Sequence, residues 1–331
     1  MAWRLTLFVL VPKICLPDMA FLALAGGVGG ARMAHGLSMA LPAEDLLIAG
    51  NIGDDFTHLG LRICPDLDTI MYTLAGLANP ETGWGVRDET WNMVRAIEAL
   101  GGPTWFRLGD KDLATHLERT RRLTAGEPLS GVTEALCQKL GVRHRLIPVS
   151  DTPVPTIVET SEGDMTFQDY FVKRQCEPLV TGFRFDQATA SVLSAPLRGA
   201  IDNNEIDCVI ICPSNPYVSI DPILAIPGMR DFLNTNVPIL VISPIVGGKA
   251  IKGPAAKMMS ELGVSPSVKG IARHYLGITD GIVIDIADEA YGDALRSSGM
   301  QVLVTDTVMR SDELKKSLAE ETLSFARRLR G

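Results

Sequence analysis

The segment Phe21–Arg32, FLALAGGVGGAR, constrains the fold more than any other part of the chain. A short apolar run leads straight into a glycine cluster, and a helix-like pattern, Met33–Ala40, follows. That order reads as a strand, a tight turn and a helix N-terminus. Glycine lets the backbone turn sharply and come close to a ligand. The first N–H groups of a helix have no partner within it, so this end attracts an anion, usually a phosphate. A nucleotide or phosphorylated ligand is therefore expected at Gly26, Gly27, Gly29 and Gly30. Neither standard glycine motif fits. Arg32 stands where the dinucleotide fingerprint needs its third glycine, and no Lys-Ser or Lys-Thr completes a P-loop. A plain tight turn between strand and helix is the alternative reading of the glycines.

Further apolar runs recur at Leu46–Ala49, Cys208–Cys212, Ile239–Ser243, Ile282–Ile286 and Gln301–Val304. Continuous Val/Ile/Leu runs suit parallel strands buried on both faces. Helical patterns at Met33–Ala40, Pro254–Leu262 and Asp288–Ser297 alternate with them. Residues 69–200 break the rhythm. Thr69–Leu77, Asp88–Leu100, Asp112–Thr124 and Ser130–Leu140 read as helices. Thr156–Thr160 and Met165–Val172 read as a hairpin around Ser161–Asp164. The predicted class is α/β: a doubly wound, mainly parallel, Rossmann-like sheet with a mostly helical insertion that contains a β-hairpin. Residues 19–68 and 201–331 would form the nucleotide-binding core. Residues 69–200 would cover the carboxyl edge of the sheet. Residues 1–18 read as a disordered extension: Leu5–Val11 is too short to span a bilayer and no small-x-small cleavage site follows it.

Composition narrows the partners. With 331 residues and 46% hydrophobic content the chain can bury a large core, and its formal net charge of −8 argues against a nucleic-acid or membrane-surface binder. None of the six cysteines forms a C-x-x-C pair, which points to a reduced, cytoplasmic compartment.

Ligands of open α/β sheets bind beyond the carboxyl ends of the strands. The segments there are Gly26–Arg32, Asn51–Asp55, Pro213–Pro216 and Pro244–Lys249, the last followed by Lys252. Asn51, Ser214, Asn215, Gly247 and Gly248 join the candidate nucleotide-binding set, and Lys249 and Lys252 supply positive charge. Asp54/Asp55, Asp66/Asp68 and Asp110/Asp112 are acidic clusters. Loop carboxylates suit Mg²⁺, a hard cation that shares its coordination with substrate phosphates, although Asp68 and Asp112 would serve equally as helix N-caps. Arg107 follows the apolar Thr104–Phe106 and could clamp an anion; a surface salt bridge is the alternative. No G-x-S-x-G elbow or paired nucleophile is present. Together these groups fit phosphoryl-type transfer, which depends on positioning and charge neutralisation.

AGGVGGAR (Ala25–Arg32), NIGDDF (Asn51–Phe56), ICPDLDT (Ile63–Thr69), RLGDKDLATH (Arg107–His116), FQDYFV (Phe167–Val172), CPSNPYVSIDPIL (Cys212–Leu224) and SPIVGGKAIKGPAAK (Ser243–Lys257) occur in this order. With them the chain resembles the 2-phospho-L-lactate transferases of coenzyme F-420 biosynthesis. The resemblance implies that a guanosine diphosphate ester of a three-carbon acid donates its phosphoryl-carboxylate part to the terminal ribityl hydroxyl of the deazaflavin Fo. GMP leaves and coenzyme F-420-0 forms. It implies Mg²⁺, for which Asp54, Asp55 and Asp68 are our candidate ligands among the loop carboxylates. It places Fo near Asp68 and Arg107, and guanosine diphosphate near the glycine turn and the SNP and GGK segments. It also suggests a homodimer. The acid could be lactyl, enolpyruvyl or glyceryl. Two rival readings are a nucleotide-sugar-binding regulator of the related non-enzymatic branch and a nicotinamide-dependent oxidoreductase. The first would lack PDLD and LGDKD, and the second would need the glycine that Arg32 replaces.

Overall fold

The computed structural model describes residues 19–235 and 237–330. The extension expected at residues 1–18 lies outside the described residues.

The central sheet has seven parallel strands: β1 (Phe21–Ala25), β2 (Leu46–Gly50), β3 (Arg145–Pro148), β4 (Cys208–Ile211), β5 (Ile239–Ile242), β6 (Gly281–Asp285) and β7 (Gln301–Thr305). Their spatial order is β7-β6-β5-β4-β1-β2-β3. β1, β2, β4, β5 and β6 are buried along their whole length, which is why their sequences are unbroken apolar runs. The register aligns Ala25 with Gly50 and Leu24 with Ile211, so these strands end close to one level. From β1 the chain winds outward through β2 and β3, then returns to place β4 on the other side of β1. The order reverses between β1 and β4, and that reversal opens a crevice at their carboxyl ends.

Helix α1 (Gly27–Ala40) leaves β1 directly and packs on the C-terminal helix Asp312–Arg330. The contact is close: a Cβ at Gly36 would sit 2.3 Å from the Lys315 carbonyl oxygen. The segment 69–200 is less uniform than its sequence suggests. It contributes β3 to the central sheet, as an edge strand paired to β2 alone. β3 is short and opens with exposed Arg145, so its apolar signal is weak. The expected hairpin is a three-stranded antiparallel sheet, with Thr156–Thr160 between Gly163–Thr166 and Val180–Phe185. The second strand, expected over Met165–Val172, gives way at Asp169 to a wide helical turn, Asp169–Lys173. Helices α2 (Pro65–Leu74), α3 (Asn92–Ala99), α4 (Asp110–Thr124) and α5 (Leu129–Lys139) account for the rest of the helical pattern. A small hairpin, Phe56–His58 with Leu61–Ile63, precedes α2. No helix among the described residues is long and apolar enough to cross a membrane.

Candidate functional site

A cavity of about 670 Å³ opens at the β1–β4 switch point. The glycine turn forms its floor. Gly26 ends β1, and Gly27 turns with φ +62°, a left-handed conformation that glycine adopts without strain. Internal packing also demands glycines here. A Cβ at Gly29 would lie 2.1 Å from the Pro213 carbonyl oxygen, and one at Gly26 would lie 2.6 Å from Asp66 Oδ2. α1 is thereby pressed onto the loop after β4. Ser214 pins that contact, accepting from the Gly26 N–H at 3.2 Å and donating to the Gly26 carbonyl at 2.8 Å. Asn215 caps the next turn through the Tyr217 N–H. Both residues still line the cavity, whereas Gly30 is buried behind it against Ser214.

The helix N-terminus is already partly occupied. Asp66 accepts a 2.7 Å hydrogen bond from the Gly27 N–H. Asn51, wholly buried behind the cavity, ties the acidic groups together. Its Nδ2 donates to Asp66 Oδ2 at 2.9 Å and contacts Asp54 Oδ1 at 3.4 Å, and its Oδ1 accepts from the Gly53 N–H. Burial, then the charge of neighbouring Asp66, pushes the Asp54 carboxyl well above the ordinary range, and burial lifts Asp66 to about 6. Asp54 and Asp66 thus form an acidic pair on the cavity wall, and among the described residues no guanidinium or ammonium makes an ion pair with either.

The other carboxylates are engaged. Asp55 pairs with Arg62 at 3.1 Å and does not line the cavity; burial outweighs that partner and lifts its carboxyl to about 7. Asp68 faces the cavity from the first turn of α2 and does not cap it. Arg119, 2% exposed, grips both Asp68 oxygens, one from Nη1 at 3.0 Å and the other from Nη2. Arg119 Nη1 also lies 3.1 Å from His116 Nδ1. A guanidinium can only donate, so Nδ1 accepts and the ring proton sits on Nε2, which faces Asp112 Oδ1 at 3.2 Å. The Tyr72 hydroxyl donates to the same oxygen at 2.7 Å. Burial works against the Asp112 charge, but His116 and Tyr72 outweigh it and hold that carboxyl below its usual range. Asp68, Asp112 and His116 offer ligand atoms within 4.8 Å of one another, yet Arg119 already fills Asp68.

LGDKD separates into two functions. Asp110 caps a neighbouring helix, accepting from the Asn92 and Met93 N–H groups at 3.0 Å. Glu89 returns the favour to α4 through the Lys111 and Asp112 N–H groups. Asp112 is thereby freed to face the cavity. Arg107 lines the cavity and stacks over Trp91 at 4.4 Å. Around it lies an aromatic wall of Tyr72, Trp84, Trp105, Phe106 and Phe171. Lys252 reaches the rim and donates to the Thr82 carbonyl at 2.6 Å. Lys249 does not reach the cavity. It sits exposed on the hairpin Ile245–Val246/Lys249–Ala250, whose turn is Gly247-Gly248 with φ +55° and +76°. Both glycines are accounted for by that turn.

The fold therefore gathers Gly26, Gly27, Gly29, Asp54, Asp68, Arg107, Ser214, Asn215 and Lys252 around one cavity. It leaves Gly30, Asn51, Asp55, Gly247, Gly248 and Lys249 outside the lining. The sequence reading noted Asp66 and Asp112 only as members of acidic clusters, and it gave no binding role to Arg32, His116, Arg119 or the aromatic wall. For Arg119 the available signal was its place one helical turn after His116 and two turns after Asp112.

Residues 21–323 match the family model described as 2-phospho-L-lactate transferase CofD. A phosphoenolpyruvate transferase of Streptomyces coelicolor is 40% identical over 323 residues, covering 94% of this chain and 99% of that protein. Another, from Mycobacterium sp. (strain KMS), is 39% identical over 318 residues, covering 88% and 96%. A crystal structure of a UPF0052 family protein from Bacillus halodurans superposes with a TM-score of 0.59 at 13% identity, covering 93% of this chain and 99% of that one, a likeness of fold. The chain belongs to the 2-phospho-L-lactate transferase CofD family, the phosphoryl-carboxylate transferases of coenzyme F-420 biosynthesis.

Proposed function

We propose that this chain transfers a phosphoenolpyruvyl group from its guanosine diphosphate ester to the terminal ribityl hydroxyl of Fo. The carrying observation is one cavity that joins a helix N-terminus and cations to an aromatic wall and acidic groups. The enolpyruvyl donor is chosen because the most similar relatives reported above are phosphoenolpyruvate transferases. The donor's diphosphate lies toward the glycine turn, Ser214, Asn215 and Lys252. The deazaflavin ring lies on Trp84, Trp105, Phe106 and Phe171, an apolar surface suited to a flat tricycle, with Arg107 at its edge. The acceptor hydroxyl attacks the phosphorus that bears the three-carbon acid. The bond from that phosphorus to the bridging oxygen breaks, and GMP departs with that oxygen. The hydroxyl proton passes to a cavity carboxylate. Asp68 orients the hydroxyl, and Arg119 fixes Asp68 on its far side.

Asp54 and Asp66 fit a divalent cation: they are adjacent hard-oxygen donors, and burial and mutual repulsion resist their charge. Mg²⁺ bound there would neutralise charge on the diphosphate. Asp55 and Asp68 already have guanidinium partners. Lys249 has no part in this reading.

Mass spectrometry of the product tests it. Fo, GTP, the upstream guanylyltransferase and phosphoenolpyruvate, phospholactate or phosphoglycerate are supplied in turn. Mass gain on Fo with phosphoenolpyruvate is expected. No gain with any donor refutes the transferase reading, and gain only with another acid refutes the enolpyruvyl assignment.

A further inference from the structure

Arg32 is the residue that excluded the dinucleotide fingerprint, and the fold turns it toward the cavity. Its only side-chain hydrogen bond among the described residues is a long one, 3.5 Å from Nη1 to the Met309 carbonyl. It forms no ion pair among those residues, and neither does Lys252. The two cations are close enough that burial first, and the Arg32 charge second, lower the Lys252 ammonium. Two like charges that line one cavity, neither in an ion pair among the described residues, constitute a site suited to an anion. Position along the helix indicates which part of the ligand they meet. Val28 and Gly29, whose N–H groups are among those a helix start leaves open, line the cavity one turn before Arg32. One turn is about 5.4 Å, and a helical side chain leans back toward the helix start, so the long Arg32 side chain can meet a group next to one held there.

We propose that Arg32 and Lys252 clamp a second oxyanion of the donor, next to the phosphate held at the start of α1. This rests on the transferase reading above. The shared chemistry is an oxyanion, either the other phosphate of the diphosphate or the carboxylate of the three-carbon acid. Arg32 presents a planar fork to it and Lys252 a point charge. The clamp also ties the ligand to residues 82–85, which help line the cavity, because Lys252 donates to the Thr82 carbonyl and Gly83 lies against Val28.

The test compares wild type, Arg32→Gln, Arg32→Lys and Lys252→Gln. Pyrophosphate, GDP and GMP are titrated calorimetrically, and KM for the complete donor is measured. If the clamp holds the diphosphate, Arg32→Gln weakens pyrophosphate and GDP on the order of 10- to 100-fold and leaves GMP within about twofold. If it holds the carboxylate, GDP binding stays unchanged while KM for the donor rises by a similar factor. Either result supports the clamp, and Arg32→Lys recovers part of the loss. Unchanged pyrophosphate, GDP and donor KM, in a variant of wild-type melting temperature, overturns it. A wild type that makes no product refutes the transferase reading separately, and the pyrophosphate arm still measures the clamp.

Discussion

Arg119→Met should be among the most destabilising single changes in this chain, because it strands Asp68. The Asp68 side chain is 7% exposed and that of Arg119 2%, and both carboxylate oxygens are bonded by the guanidinium. Burial disfavours the Arg119 charge, but Asp68 more than offsets this and keeps the guanidinium firmly protonated. Two unit charges about 4 Å apart attract by roughly 4 kcal/mol at an effective dielectric of about 20. Removing one partner of a buried pair costs about 3–5 kcal/mol, since the other remains desolvated and uncompensated. For a chain of this length each kcal/mol lowers the melting temperature by about 2 °C, so a drop of roughly 6–10 °C is expected. The double variant Arg119→Met/Asp68→Asn removes both charges and should recover more than half of the loss. Urea denaturation of wild type, both single variants and the double variant closes the cycle. A single-variant cost below about 1 kcal/mol refutes the stranded-charge reasoning, and so does a double variant no more stable than Arg119→Met.

Gly29→Ala would place a methyl 2.1 Å from a backbone carbonyl oxygen that has no side-chain freedom; a loss of about 1–3 kcal/mol is expected, with weakened GDP binding, and a variant as stable as wild type would contradict it. Trp84 lines the cavity yet is 52% exposed, so Trp84→Ala should leave stability within about 0.5 kcal/mol. Its KM for the deazaflavin should rise about tenfold through lost stacking; an unchanged KM removes Trp84 from the acceptor site. Burial lifts Asp66 from 3.8 to about 6, so the folded state holds this proton more tightly than the unfolded chain. Its stabilising contribution is then complete below about pH 4 and lost as pH rises through about 6. In EDTA, wild type should lose up to roughly 3 kcal/mol over that window relative to Asp66→Asn; parallel stability profiles in urea would refute the shift.

The sheet was largely legible because its strands are buried on both faces, and apolar continuity survives in sequence without knowledge of neighbours. Leu46–Gly50, Cys208–Ile211 and Ile239–Ile242 carry that signal plainly. Arg145–Pro148 does not, being a short edge strand with an exposed first residue, and it was absorbed into the insertion. The site was legible where a motif ends a strand, as at Gly26–Gly29 and Ser214–Asn215. It was illegible where a side chain acts through a partner far along the chain. Arg119 is 51 residues from Asp68, and Asp66 is 39 residues from the Gly27 N–H it caps. Asp110 and Asp112 look alike in sequence, yet one caps α3 and the other meets Tyr72 and His116.

By itself the sequence determined the α/β class, the strand–glycine–helix passage from β1 to α1 and, through the ordered motifs, the resemblance to a transferase family. These are local properties: periodicity, turn chemistry and the run of residues along the chain. Only the tertiary structure decided which charges are spent and which are free. Asp55 and Asp68 are neutralised by arginines from other elements, Asp54 and Asp66 are left as neighbouring carboxyls, and Arg32 and Lys252 line the same cavity with no ion pair among the described residues. Whether a charge is available depends on what lies within a few ångströms of it, and in a doubly wound sheet those neighbours come from strands and helices remote in sequence.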